Sequence, residues 1–310
     1  MTALALPLSA SELCEAVRQA RPFNAARLDR VLRVDTSRGL VEAQASARWS
    51  SLAAHLHPGA TAMQALWQSH GTIAESVACN AAGPDGRPIV AYIEAIALVT
   101  PDGELRRVGR ANAELFALVV GGQGLFGSPY SVTLRLESFA RAAMEAVPPA
   151  TLTLPGAPGA ARAAHFLVPP DARDAFLADA RARCAEWRVA SQAAEVGRTL
   201  PEGETLLRWA RREYAAVTLR LAELPALGGA VRATQLRRQL IDVAIAHGGS
   251  FPIACTSEAT RAQAEACYPE LKQLLAEKRR LDPADRASND WYRHYRGLLG
   301  RGPCEVRWTR

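Results

Sequence analysis

The sequence predicts an α+β fold, and three observations carry that expectation. Short apolar runs joined by tight polar turns recur through the first half, as antiparallel hairpins do. They mix with helical periods without a regular strand-helix-strand alternation. A Pro/Gly/Ala-rich stretch, Val147 to Gly159, then separates this half from one dominated by helical periods.

From Ser9 to Arg21 the apolar positions Leu13, Val17 and Ala20 recur at helical spacing, with Ser9 or Ser11 able to cap the start. Leu28 to Val34 and Leu40 to Ala45 read as strands, joined by the polar turn Asp35 to Gly39. Trp49 to Leu56 reads as a helix. Ile93 to Thr100 reads as a buried strand, turned back by Pro101-Asp102-Gly103 into Glu104 to Val108. Ala111 to Val119 is expected as a helix and Ser131 to Glu137 as a strand. Beyond the Pro/Gly/Ala stretch, helices are expected over Ala172–Trp187, Glu204–Val217, Ala233–His247 and Glu258–Ala266. Pro269 can open a last one, which Asp282-Pro283 stops near Leu281.

These elements suggest a first domain over 1–142, a linker over 143–160, a smaller and mainly helical domain over 161–255, and a C-terminal segment, 256–310, that packs back on the first. With 310 residues the chain can bury a sizeable core. No run reaches the length of a membrane span, and the first ten residues lack the basic start of a signal peptide, so a cytoplasmic protein is expected. The six cysteines are scattered with no C-x-x-C pair, which fits structural thiols better than zinc or disulfides. The net charge of +6 comes almost wholly from arginines interleaved with Glu, Asp and Ala. Such a texture is that of solvated helix faces and excludes a nucleic-acid stripe.

Three stretches, in this order and separation, resemble the FAD-linked oxidoreductases of the vanillyl-alcohol-oxidase (PCMH) type. In pattern they stand nearest to the decaprenylphosphoryl-ribose oxidase and sugar-lactone oxidase branches. The first is the strand-turn-strand-helix run Ala95 to Gly127, and the second is GETLLRWARREYAAV, Gly203 to Val217. The third, His247 to Arg296, holds a Gly-Gly strand, a Tyr-Pro helix and a Lys-x-x-x-Asp-Pro element. The resemblance implies an FAD-binding domain, a smaller cap domain and a C-terminal return. It also implies oxidation of an alcohol or sugar-like hydroxyl by hydride transfer to flavin N5.

Such a site needs backbone amides for a diphosphate, glycine wherever the chain approaches it, and a donor near the reducible edge of the ring. The family's glycine-rich diphosphate loop after the first helix has no counterpart, since no glycine precedes Gly39. The histidine that carries covalent flavin in relatives belongs to that loop. Where the family reads T-x-G-G-x-I-A-x-D/N-x-x-G, this chain reads Thr72, Ile73, Ala74, Glu75, Ser76, Val77, Ala78, Cys79, Asn80 and on to Gly83. Ala74 and Glu75 thus stand at the paired glycines. A carboxylate about 4 Å from a phosphate costs about 4 kcal/mol at an effective dielectric of about 20. The family's Tyr and Lys near the flavin align with Pro252 and Cys255, so no catalytic residue is assigned. Cys255 reads better as an inert thiol than as a nucleophile.

The candidate cofactor positions are therefore Thr72, Ile73, Ala74, Glu75, Ala78, Gly83, Gly121, Gly122, Gly124 and Gly127. The last four either lie along the cofactor or merely permit a tight helix-to-strand crossover. His70 reads as a loop residue, and His247 and His294 as satisfied structural histidines. FAD is the expected cofactor, if any. The reading favoured is a pseudoenzyme, a partner or regulator with a degraded flavin site. The alternatives are an active FAD-dependent oxidase or dehydrogenase and a protein binding another small molecule in the vacated cleft.

Overall fold

The computed structural model describes residues 4–53, 71–146, 150–153, 161–222 and 228–300. His70 and most of the Pro/Gly/Ala stretch fall outside the described residues. Helix α1 (Ala10–Arg18) starts where Ser9 accepts the amide of Glu12. It lays Leu13 and Cys14 against Leu28 and Val99 in a small apolar cluster. Strands β1 (Val31–Asp35) and β2 (Leu40–Gln44) form the expected hairpin. In its turn Asp35 accepts from Ser37 and the Arg38 amide, and Gly39 takes φ +64.

After the short helix α2 (Trp49–Ala53) and helix α3 (Ile73–Cys79), strands β3 (Ile93–Val99) and β4 (Leu105–Gly109) pair through the Pro101-Asp102-Gly103 turn. Helix α4 (Ala113–Val119) leads to β5 (Ser128–Arg135). That strand enters the middle of a five-stranded antiparallel sheet ordered β1-β2-β5-β3-β4. One face of the sheet buries Val41, Ile96, Val132 and Leu134 in the main core. Burial of such side chains contributes about 1.5–3 kcal/mol each.

The second half departs from the sequence expectation. Helix α5 (Leu136–Glu145) precedes strand β6 (Ala150–Thr153), which lies inside the stretch read as a linker. Strands β7 (Ala161–Val168), β8 (Ser191–Thr199) and β9 (Tyr214–Ala222) complete a second antiparallel sheet ordered β6-β8-β9-β7. The part expected to be mainly helical is thus built on a sheet, packed by helices α6 (Arg173–Glu186) and α7 (Gly229–Ala246). Phe166 of β7 meets Phe176 of α6 at 5.4 Å.

The helix expected over Glu204–Val217 is not formed. Glu202 accepts the amides of Glu204 and Thr205 and the Thr205 hydroxyl, which holds an irregular strap. From Tyr214 the period becomes two, with Val217, Leu219 and Leu221 buried and Arg220 exposed, so the chain pairs as β9. Helices α8 (Arg261–Cys267), α9 (Leu271–Leu281) and α10 (Asp290–Gly300) close the described chain. Thr260 and Gln263 cap α8 reciprocally. Among the described residues no helix is long and apolar enough to cross a membrane, and no group of His, Cys, Asp and Glu could hold a metal.

Candidate functional site

Helix α3 is the centre of the site the sequence points to. Thr72 takes an extended backbone and caps it, its hydroxyl accepting the Glu75 amide at 3.2 Å. The Glu75 carboxylate turns back and accepts the Thr72 amide at 2.9 Å. A capping box results, in which a charged side chain satisfies a donor that an anion would otherwise meet. Glu75 also lies over Gly71, at φ +59, where an added Cβ would stand 2.6 Å from its Oε2. Thr-x-x-Glu is a sequence signal for this box, and reasoning from the family pattern alone passed over it.

The other aligned positions divide sharply. Ile73 is fully buried and its amide bonds to Ala47, so its side chain belongs to the core. Ala74, Glu75 and Ala78 line a cleft of about 320 Å³, as do Gly124 and Gly127. Phe23 and Ala25 form part of its wall. They occupy the short path from α1 to β1, where the family's loop would stand. Asn24 holds that path by accepting the Ala26 amide at 2.9 Å. Among the described residues of the wall, Glu75 is the one charged side chain.

Gly121 and Gly122 do not line this cleft. An alanine Cβ at Gly122 would lie 1.8 Å from the Leu118 carbonyl oxygen, so a tight crossover requires glycine there. Gly121, at φ +77, donates its amide to Val77. Gly83 packs against Tyr92, whose hydroxyl bonds to buried Asp85, and stands apart from the cleft. Burial and the Asp85 bond push the Tyr92 pKa up.

Asn80, in the left-handed region at φ 50, ends α3 and ties it to the strap. Its side-chain oxygen accepts the Val90 amide, its own carbonyl accepts from Trp209 at 2.8 Å, and its amide nitrogen reaches Glu202 at 3.4 Å. Nearby, burial first and the neighbouring Cys255 second raise the Cys79 thiol to about 11. Such a thiol is overwhelmingly protonated near neutral pH and is a poor nucleophile.

Pro252 and Cys255 sit on a loop held by aromatic side chains. Tyr268 donates to the Phe251 carbonyl, Trp291 to that of Ile253 at 2.9 Å, and Tyr295 to that of Thr256 at 2.7 Å. Cys255 donates to the Pro252 carbonyl, and desolvation raises its pKa. Neither position supplies a cation or a phenol. The described cysteines Cys14, Cys79, Cys184, Cys255 and Cys267 are free thiols.

The histidines part ways. His247 Nε2 meets Asp179 at 2.8 Å, as a structural histidine should. The expectation that His294 is fully satisfied fails, because its buried Nε2 has no partner among the described residues. The ring is instead held edge-on against Tyr295, 4.9 Å between centroids.

No curated protein matches the chain. Residues 22–109 match a family model described as FAD binding domain, so the stretch from the end of α1 to the end of β4 carries a domain of FAD-binding type.

Proposed function

We propose that the chain is a flavin-oxidoreductase-type protein that no longer holds FAD tightly and serves as a noncatalytic partner or regulator. The matched FAD-binding segment supports the type, and the pattern of Ala95 to Arg296 draws it toward the decaprenylphosphoryl-ribose oxidase and sugar-lactone oxidase branches. One observation carries the loss of the cofactor. The Glu75 carboxylate caps its own helix at the position where the family pattern puts diphosphate-facing glycines.

A diphosphate placed there would displace the cap and meet a like charge. The residues present therefore do not fit that part of FAD. The cleft also lies near the lower end of the roughly 300–1,000 Å³ common for drug-sized ligands, and FAD is larger than these.

The test is the visible spectrum of the purified protein, followed by titration with FAD under fluorescence detection. A colourless protein that gives no saturable quenching is expected, and stoichiometric bound flavin would overturn the reading. The lining of the cleft by Gly124 and Gly127, together with the family match, favours a second reading. In it the protein is an FAD-dependent oxidase or dehydrogenase of an alcohol or sugar-like hydroxyl. A third occupant, a small apolar metabolite in the vacated cleft, would give a thermal shift where FAD gives none.

A further inference from the structure

Three arginines crowd the end of the strap, where it meets the turn between α8 and α9 and then enters β9. Arg211 donates to Glu270 in that turn, and Arg208 stands 3.9 Å from the same carboxylate. Arg211 Nε also holds the Arg208 carbonyl at 3.2 Å, and its guanidinium lies 6.0 Å from the centre of the Tyr268 ring. Arg212 is exposed and meets no carboxylate among the described residues. Its neighbour Glu213 is already taken by Arg198 at 2.8 Å. Three guanidinium groups therefore share one carboxylate, which leaves a surplus of two positive charges.

The first residue of β9 adds a donor. Tyr214 is only 5% exposed, yet its hydroxyl has no hydrogen-bond partner among the described residues. Burial pushes its pKa up, while the Arg212 and Arg211 charges pull the other way, as they do when the hydroxyl lies beside those two guanidinium groups. The net shift is upward, so the phenol keeps its proton at neutral pH and can donate it. A hydroxyl held away from water without an acceptor costs free energy until one arrives.

We propose that Arg208, Arg211, Arg212 and Tyr214 form a site for a phosphate monoester. A dianion matches the surplus charge, and its acceptor-only oxygens suit guanidinium forks and a phenol. The side chains of Arg208 and Arg211 stay 42% and 33% exposed, so the site is open. It can take the ester of a metabolite or that of a phosphorylated side chain on a partner. The site shares no residue with the cleft beside α3 and does not depend on the flavin reading.

Calorimetry and thermal shift of the full chain at fixed ionic strength test it. The probes are inorganic phosphate, glycerol phosphate, and a phosphoserine peptide beside its unphosphorylated form. Phosphate gives a saturable response, and whichever ester binds more tightly names the source. Arg212→Met weakens the response about tenfold or more, and Tyr214→Phe, which leaves every charge in place, about threefold or more. Arg107→Met, at an exposed arginine of β4, leaves it unchanged. The proposal is overturned by a response that never saturates, or by one that falls equally with Arg107→Met. A response that survives both site changes, in variants that melt as the parent does, overturns it too.

Discussion

Lys278 donates to Asp282 at 2.7 Å where neither side chain reaches solvent. The ammonium also meets Asp285 at 3.1 Å and lies 4.9 Å from the centre of the Tyr292 ring. Asp282 in turn accepts the amides of Arg286 and Ala287, so one carboxylate closes the turn after α9. Asp282→Ala would leave the buried ammonium with the half-exposed Asp285 as its remaining carboxylate and free two amides. A loss of about 3–5 kcal/mol is expected. Urea denaturation of the variant measures it, and a midpoint unchanged from the parent would refute the role given to this pair.

The same carboxylate sets a pH dependence. Burial pushes the Asp282 pKa up, but the Lys278 bond and the two backbone amides outweigh it, and the net shift is downward. A depressed folded pKa adds stability that is whole above the unfolded value, about 3.9, and fades as pH falls through the folded one. Thermal midpoints should therefore drop steeply below about pH 4. In Asp282→Asn the drop should be shallower, starting from a lower plateau.

At α3 the cap and the cofactor question can be separated. Thr72→Ala removes the acceptor for the Glu75 amide and should cost about 1 kcal/mol, without altering any response to FAD. Replacing Ala74 and Glu75 together by glycine removes the charge and both Cβ atoms. That double variant, though less stable, should quench flavin fluorescence more strongly than the parent does. Equal quenching by the two proteins would show that Glu75 is not what keeps flavin out.

The glycines of the crossover should answer differently to alanine. At Gly122 the new Cβ collides with backbone, and more than about 4 kcal/mol of destabilisation is expected, enough to prevent recovery of folded protein. Gly124, at φ +73, has nothing among the described residues within 4 Å of the added carbon. Only the left-handed backbone resists the change there, at about 1–2 kcal/mol. Circular dichroism and chemical denaturation of the two variants distinguish these outcomes.

The first sheet could be read from the chain because its strands are bounded by strong turn signals, Asp35 to Gly39 and Pro101 to Gly103. The second sheet was hidden by alanine. In β7 and β8, Ala161, Ala163, Ala164 and Ala194 blur the alternation that marks a strand. The arginines and leucines before Tyr214 favour a helix locally, until pairing with distant β7 and β8 prevails. At the site, the replacement of paired glycines by Ala74 and Glu75 was visible. Which glycines line the cleft and which merely turn the chain was not, since that depends on what lies opposite each Cα.

One peptide beside the cleft has a wider consequence. Gln123 holds φ +56, gives its amide to Ala78 at 2.9 Å and offers its carbonyl to Asn289 at 2.7 Å. Helix α3, the crossover loop and the approach to α10 are therefore fastened at a single residue. Exchange of the Gln123 amide proton with deuterium should then report separation of this loop from α3, whose Ala78 carbonyl it meets. Whatever enters the cleft by moving that loop must also loosen the far end of the described chain.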